Sequence, residues 1–435
     1  MLLNYNFSNF RSFRNDTNFS MIATSQRTLN QNLIRKNDLR ILPSAVIYGA
    51  NASGKSNFIL SLDVMRDIIV AGSVDADTQN LKEMELYPFA HKSEIKPMKF
   101  MLDFVTQGFR YEYGFSLEVT PFMRGSRRII SEHLTCIDRK GGRIALFSRD
   151  GQKVNINSEE RALQRLNVEA PLLAKLEKRI NDNLDDTELF LSRAFKGTIS
   201  NDIADQVISF FDDNLMVISD FAESKSKLVV SSEHEIENDY YIWNKFIDSF
   251  AKLADAGPQQ LSYRLKKTDS KEPQNTELIS IYEHGGRHIS IPAKFMESRG
   301  TIKMLDFLLP FMKVFEEGGV LVLDEFDASI HPEMIKGILA VFTNQELNKT
   351  GAQLIFTTHN PIFLNNQVFR RDQIFFIEKD EDNHDSTLYT LADFGSGLVR
   401  NDHNYMINYF KGRYGALPFL DFAGIVREWS GSQDE

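Results

Sequence analysis

The segment Gly49-Ala50-Asn51-Ala52-Ser53-Gly54-Lys55-Ser56 constrains this chain more than any other, because it fits G-x-x-x-x-G-K-[ST] in full. Ahead of it runs the apolar stretch Ala45-Val46-Ile47-Tyr48, and behind it Phe58, Leu62, Met65 and Ile69 recur at helical spacing. A strand that ends in a glycine-bearing turn and hands over directly to a helix is a unit of an α/β fold. The chemistry explains the spacing. Glycines let backbone N–H groups wrap phosphate oxygens at a helix N-terminus, the lysine reaches the β and γ oxygens, and the hydroxyl ligates Mg²⁺. Gly49, Asn51, Ser53, Gly54, Lys55, Ser56 and Asn57 are therefore the expected nucleotide contacts, with Ser56 on the metal. The competing reading, an ordinary glycine turn, leaves the flanking strand and helix unexplained.

Three further elements follow. Val320-Leu321-Val322-Leu323 is a continuously apolar strand ending in Asp324-Glu325, at the carboxyl edge where such sheets bind ligands. Asp324 is expected to hold Mg²⁺ through water, and Glu325 to orient and deprotonate an attacking water. Gln353-Leu354-Ile355-Phe356 is a second such strand, ending in Thr357-Thr358-His359. A lone histidine is more often structural, but this position is where a γ-phosphate contact is needed, so His359 is read as a phosphate sensor. Between these elements and the loop, Glu297-Ser298-Arg299-Gly300-Thr301 precedes an amphipathic helix carrying Ile302, Leu305, Leu309, Met312 and Phe315. Taken alone, that segment is an ordinary N-cap able to bind an anion.

Composition narrows the class. The 435 residues are 42% hydrophobic and 25% charged, enough for two or three domains, or one large fold with insertions, with a full core, and unlike a disordered or fibrous chain. Sixty acidic against 50 basic residues give a net charge of −10, which disfavours coating of nucleic acid by the whole surface and leaves room for a local basic groove. The single cysteine, Cys136, excludes an internal disulfide and a cysteine-based zinc site, and suits a reducing cytoplasm. No stretch approaches the roughly 18 uninterrupted apolar residues of a membrane span, and the N-terminus lacks a basic region followed by an apolar run. The expectation is a soluble, cytoplasmic protein without a membrane partner. Its 34 phenylalanines sit in periodic apolar patterns and read as core.

The organisation follows from changes of period. Residues 1–98 hold an N-terminal strand (Leu3, Tyr5, Phe7) and the glycine loop; 99–157 alternate strictly and read as an antiparallel meander with turns at Asp138 to Gly142 and at Asp150-Gly151. Residues 158–275, with Leu173, Leu176 and Ile180 at helical spacing, read as a helical lobe. Residues 276–435 return to the core through strands at 278–282 and 288–291 joined at Gly285-Gly286. Arg127, Arg128, Arg370 and Arg371 are basic pairs with aromatics nearby, open either to nucleic acid or to ordinary surface roles. Asp380, Glu381, Asp382 and Asp385 read as a solvated turn, and no cluster has the spacing of a transition-metal site.

In order, these elements resemble the ATP-binding-cassette ATPases of the SMC, Rad50 and RecF branch: Walker A, a signature motif, Walker B with a following glutamate, and a switch histidine. The resemblance implies an ABC-type P-loop ATPase head with a mostly parallel sheet, an antiparallel β meander and a helical lobe. It also implies ATP and Mg²⁺ as ligands, Lys55, Glu325 and His359 as the catalytic set, and Ser298 and Gly300 completing the site of a second subunit. NFRSF at 9–13, ESRGT at 297–301, DEFDASIHP at 324–332, TTHN at 357–360, RRDQIFFIEKD at 370–380 and GRYGALP at 412–418 are similar to the AAA15 family of bacterial ATPases, which includes abortive-infection proteins of antiphage loci. That likeness implies a homodimer or higher homo-oligomer controlling a separate effector, a nuclease or toxin. Two departures stand out: Arg299 occupies a signature glycine position, and His331 stands where many relatives carry the D-loop aspartate. The Q-loop glutamine is not placed; the Tyr87 to His91 region is the nearest candidate. The roughly 240 residues between Walker A and the signature lack heptads, which argues against a coiled-coil tether, and the 76 residues after His359 are too few for an appended nuclease domain. The alternative reading is a RecF-like ATP-dependent clamp on DNA; a transporter subunit ranks last.

Overall fold

The computed structural model describes residues 1–36, 38–74, 86–89, 96–119, 127–219, 239–242, 260–266, 276–328, 330–400 and 403–418, with single positions 423 and 427. Along the chain, β1 (Leu2–Ser8) and β2 (Thr17–Ser20) pair antiparallel. A small hairpin, β3 (Ile34–Lys36) with β4 (Leu39–Ile41), leads to β5 (Ser44–Gly49) and helix α1 (Lys55–Ala71). The alternating segment then forms β6 (Met98–Thr106), β7 (Phe109–Val119), β8 (Arg127–Ile137), β9 (Arg143–Asp150) and β10 (Lys153–Ile156). Together with β1 and β2 they make a seven-stranded antiparallel sheet in the order β10-β9-β8-β7-β6-β1-β2.

The second large sheet contains β11 (Leu215–Ile218), β16 (Val320–Leu323), β17 (Gln353–Thr357), β18 (Ile374–Lys379) and β19 (Ser386–Thr390) around β5, in the order β11-β16-β17-β5-β18-β19. All its pairings are parallel except β18 with β19. Its strands read as unbroken apolar runs because both faces are covered. Val46, Tyr48, Leu321, Leu323, Leu354, Phe356, Ile374 and Phe376 belong to one buried cluster; Ala45, Ile47, Val320, Val322, Ile355, Phe375 and Ile377, the residues between them, belong to the other.

Helix α1 lies in the second of these layers, between the two sheets. Phe58 meets the rings of Tyr5, Phe7 and Phe19 at centroid distances of 6.2, 6.0 and 5.2 Å, and Tyr5 donates to Ser61 Oγ at 2.9 Å. Burying a Phe ring contributes roughly 1.5–3 kcal/mol, so this seam fixes where the helix starts relative to both sheets. α1 ends at Gly72, whose left-handed conformation (φ 72°) lets its N–H cap Ile68 O. The fully buried Gln353 joins the sheets edgewise: its amide accepts from Leu2 N at 2.6 Å and donates to Leu2 O and Leu42 O.

The segment expected to be a helical lobe departs from that expectation in its second half. Helices Glu160–Leu166, Ala170–Asn181 and Asn201–Ser209 are present, but Leu215–Ile218 is the edge strand of the parallel sheet. Beyond it, β12 (Asp239–Ile242), β13 (Gln260–Lys266), β14 (Thr276–His284) and β15 (Arg287–Pro292) form a four-stranded antiparallel sheet. A four-residue apolar run such as LMVI has no period of its own, and its pairing with β16, far along the chain, decides its state. Glu132 ties the helical part to the meander. Its buried carboxylate accepts from Tyr113 Oη, Phe190 N and Leu191 N at 2.9, 2.7 and 2.9 Å, with Arg149 at 3.8 Å. Desolvation raises its pKa, opposed by those backbone bonds.

Candidate functional site

The candidate site sits at the carboxyl edge of the parallel sheet. β5 ends at Gly49 and α1 begins at Lys55, so the turn between them is short and constrained. Ala52 (φ 61°) and Gly54 (φ 116°) take left-handed backbone, and Gly49 is in tight quarters: a Cβ there would lie 2.4 Å from Ser53 Oγ and 2.5 Å from Ile377 O. Gly54 N-caps α1 without a side-chain bond, leaving the first-turn N–H groups to an outside acceptor. Lys55 Nζ donates to Gly49 O and Ala50 O, both at 2.9 Å. Ser53 Oγ is buried without a hydrogen-bond partner, while Asn51 and Ser56 are exposed. A cradle that a Cβ would fill, free helix N–H groups and an orphaned hydroxyl fit a phosphate chain.

The loop is braced from behind by residues that sequence reasoning did not assign. In NFRSF, Phe10 and Phe13 exchange two backbone hydrogen bonds of 2.9 Å and bury both rings, which turns Ser12 toward the loop. Asn57 Nδ2 donates to Ser12 Oγ at 2.9 Å, so this expected nucleotide contact is engaged with the brace. Ser386, the first residue of β19, donates through its backbone N to Ser12 O (2.7 Å) and through Oγ to Ser53 O (2.6 Å). NFRSF was visible in the sequence only as a point of resemblance.

Asp324 and Glu325 follow β16. Asp324 is buried, 7% exposed, and its Oδ1 accepts from Thr357 Oγ1. The same Thr357 Oγ1 accepts from Glu325 N at 2.8 Å, so one hydroxyl at the end of β17 positions both acids. The signal for Thr357 was a polar residue ending an otherwise apolar strand. Glu325 is exposed, with left-handed backbone (φ 45°), and Lys303 Nζ donates to its carbonyl at 2.7 Å.

Lys55, Asp324, Glu325 and His359 converge within mutual electrostatic reach. Desolvation lowers the Lys55 pKa, opposed by Asp324 and Glu325. Desolvation and then Lys55 lower that of His359, opposed by Glu325, Asp327 and Asp324. Thr358 N donates to Ile47 O (3.1 Å), which fixes the backbone just before His359 against β5. For Mg²⁺, an exposed Ser56 hydroxyl and one carboxylate, Asp324, suit a hard cation that draws its remaining ligands from substrate phosphate and water. That arrangement needs no protein cluster of three acids or histidines, and none occurs among the described residues.

Ser298 and Gly300 stand at the start of a different element, the helix Arg299–Glu317. Ser298 is exposed and N-caps it, accepting from Thr301 N at 3.1 Å. His331 likewise N-caps the helix Pro332–Thr343, its Nδ1 accepting from Glu333 N at 3.2 Å, which gives this residue a local structural duty. Arg370 is fully buried against Asp372 Oδ1 and Oδ2 at 2.9 and 2.8 Å and cannot meet nucleic acid; Arg128 pairs with Glu118. Tyr87 O accepts from Arg11 N, and Phe89 N donates to Asn9 Oδ1, while 90–95 lie outside the described residues. Asp380, Glu381 and Asp382 lie in an exposed turn, whereas Asp385 is half-buried and its carboxylate accepts from Arg14 N at 2.9 Å and Asn15 Nδ2 at 2.6 Å; GRYGALP packs on the core through Tyr389 Oη to Tyr414 O at 2.7 Å.

No helix among the described residues is long and apolar enough to cross a membrane. None of the curated proteins matches the chain. A family model does, over residues 44–365, about three quarters of its length, and that span holds the loop, both acids, the 299–317 helix and His359. The chain thus belongs to the ATPase family described as "AAA domain, putative AbiEii toxin, Type IV TA system".

Proposed function

We propose that this protein is an Mg²⁺-dependent ATPase of the AAA15 type whose ATP-driven head-to-tail dimerisation controls a separate effector in antiphage defence of the abortive-infection kind. The observation that carries the reading is the convergence of Lys55, Asp324, Glu325 and His359 at one sheet edge beside a loop shaped for phosphates. Loop N–H groups and Lys55 neutralise the phosphate chain, and Ser56 and Asp324 hold the metal. The metal, when bound there, would supply positive charge against the phosphate chain. Glu325 takes a proton from water as its oxygen bonds to the γ-phosphorus; the bond to the β-bridging oxygen breaks, giving ADP and phosphate. His359 donates a hydrogen bond to the γ-phosphate, and Ser298 with Gly300 of a second copy does so from the opposite side. The effector-control role rests on the toxin context of the family description and on the AAA15 likeness.

The test is Glu325→Gln in phage-challenged cells and in vitro. Retained ATP binding, hydrolysis lowered by about a hundredfold or more, and a stoichiometric protein held by the variant and released on infection are expected. Normal turnover would remove Glu325 from the role of base, and unchanged protection by Lys55→Ala would remove ATP from the defence function.

One observation favours the second reading, a RecF-like clamp on DNA. Arg35, Lys36, Arg139, Lys140 and Lys349 outnumber Asp38 and Asp138 in the lining of two clefts of about 480 and 180 Å³ that share Lys36. None of those five basic side chains is in an ion pair among the described residues. An ATP-dependent, salt-sensitive shift of duplex DNA that Arg139→Glu with Lys140→Glu abolishes would favour the clamp. No shift at low salt would retire it.

A further inference from the structure

Glu325 is held in an uncommon way. Its φ of 45° lies in the left-handed region, which non-glycine residues occupy only where surrounding contacts impose it. Those contacts are present on both sides of the residue. Its N–H is taken by Thr357 Oγ1 at 2.8 Å, and that hydroxyl is in turn committed to Asp324. Its carbonyl accepts from Ala328 N at 3.1 Å, inside its own turn, and from Lys303 Nζ at 2.7 Å. Of these, only Lys303 comes from outside the sheet edge and its turn. It lies on the helix Arg299–Glu317, the helix that Ser298 caps.

We propose that Lys303 is a positioning residue for Glu325, holding the backbone of that acid in the left-handed conformation that aims its carboxylate and making this aim depend on the position of the Ser298-capped helix. The inference rests on reading Glu325 as the base. Lys303 touches no substrate in this scheme; it acts through a carbonyl. A charged ammonium on a carbonyl is among the stronger hydrogen bonds a protein makes, and it replaces what water would offer an exposed turn. Without it the Glu325 carbonyl keeps only the longer bond from Ala328 N (3.1 Å), and the peptide is less restrained against relaxing toward the right-handed region, which re-aims the side chain while leaving the Gly49–Ser56 loop untouched. A shift of the helix at Ser298 changes the same contact, so occupation of Ser298 by phosphate has a direct route to the base.

The experiment is single-turnover and steady-state ATP hydrolysis by Lys303→Met, Lys303→Arg, Glu325→Gln and the Lys303→Met/Glu325→Gln pair, with fluorescent-ATP binding to each. Lys303→Met is expected to lower kcat about ten- to a hundredfold with KM and nucleotide affinity within about twofold of wild type. Lys303→Arg, which keeps the charge and a donor, restores most of the rate. Because the effect passes through Glu325, adding Lys303→Met to Glu325→Gln lowers the single-turnover rate no further. Wild-type kcat in Lys303→Met, or losses that multiply in the pair, would overturn the proposal. If Glu325→Gln alone turns over normally, it is the base assignment that fails, and that outcome is read separately. Thermal melting of each variant guards against misfolding, with Lys303→Gln as the substitute if Lys303→Met does not fold.

Discussion

His359 sits where the fold favours the neutral imidazole. Desolvation and the neighbouring Lys55 ammonium both disfavour the imidazolium, and the opposing acids Glu325, Asp327 and Asp324 do not reverse the shift. Its pKa therefore lies below the ordinary value of 6.5. At neutral pH the ring carries one N–H and one lone pair, so it can donate to a phosphate oxygen without bringing a charge that would hold product. Between the folded pKa and 6.5 the unfolded chain binds more protons, so this histidine's contribution is complete above about pH 6.5 and is lost as pH falls toward the folded value. The expected outcome is a histidine C–H resonance, absent from His359→Gln, that titrates below pH 6.5 in the nucleotide-free protein. Titration at or above 7 would show that Lys55 does not face it. The sequence pointed to His359 by its place at a strand end, but gave no hint of its charge state, which is set by burial and by neighbours beyond the ends of two other strands, β5 and β16.

Elements were legible where their pattern was self-sufficient. GANASGKS between an apolar run and a 3.6-residue period identified β5, the loop and α1, and continuous runs identified β16 and β17 because a doubly covered strand has no polar face to show. β11 was missed since four apolar residues carry no period, and Ser12, Ser386, Thr357 and Lys303 were missed because their work depends on approach from remote segments. Two glycines make the difference between local and tertiary constraint measurable. Gly49→Ala places a Cβ 2.4 Å from Ser53 Oγ and 2.5 Å from the Ile377 carbonyl, a backbone atom of the paired strand β18. It is expected to cost about 1–3 kcal/mol by overpacking and to abolish nucleotide binding. Gly337, inside the helix Pro332–Thr343, has nothing within 4 Å of a Cβ, so Gly337→Ala is expected to stabilise by about 0.5–1 kcal/mol. Urea midpoints of the two variants should move in opposite directions; a midpoint for Gly49→Ala at or above wild type would mean the β18 edge yields more readily than its pairing implies, and a fall for Gly337→Ala would mean its helix position is not open.

At the scale of the whole molecule, the two halves of the proposed composite site lie on different elements. The loop with Asn51 and Ser56 is exposed at one sheet edge, and Ser298 is exposed at the head of another helix. Just ahead of Ser298 in the chain two large apolar side chains are exposed: Phe295 is 72% exposed and Met296 48%. Covering these partly exposed side chains with a second copy would add a fraction of the roughly 1.5–3 kcal/mol that full burial of each is worth, and so favour the proposed association. Linkage turns this into a measurement. ATP at a hundred times its Kd stabilises one folded chain by about 2.7 kcal/mol whatever the protein concentration, whereas a dimer makes the melting temperature rise with protein concentration as well. In Glu325→Gln with Mg²⁺ and ATP, Tm is therefore expected to climb with protein concentration, and light scattering to give twice the chain mass of 49.9 kDa. Ser298→Arg should keep the nucleotide shift, since its own loop is intact, and lose the concentration dependence. Phe295→Ser should weaken it without touching either half-site. A Tm independent of protein concentration, with a mass that stays at one chain when ATP is bound, would mean that the site closes within a single protomer or not at all, and Ser298 would then be no more than the N-cap its hydrogen bond to Thr301 makes it.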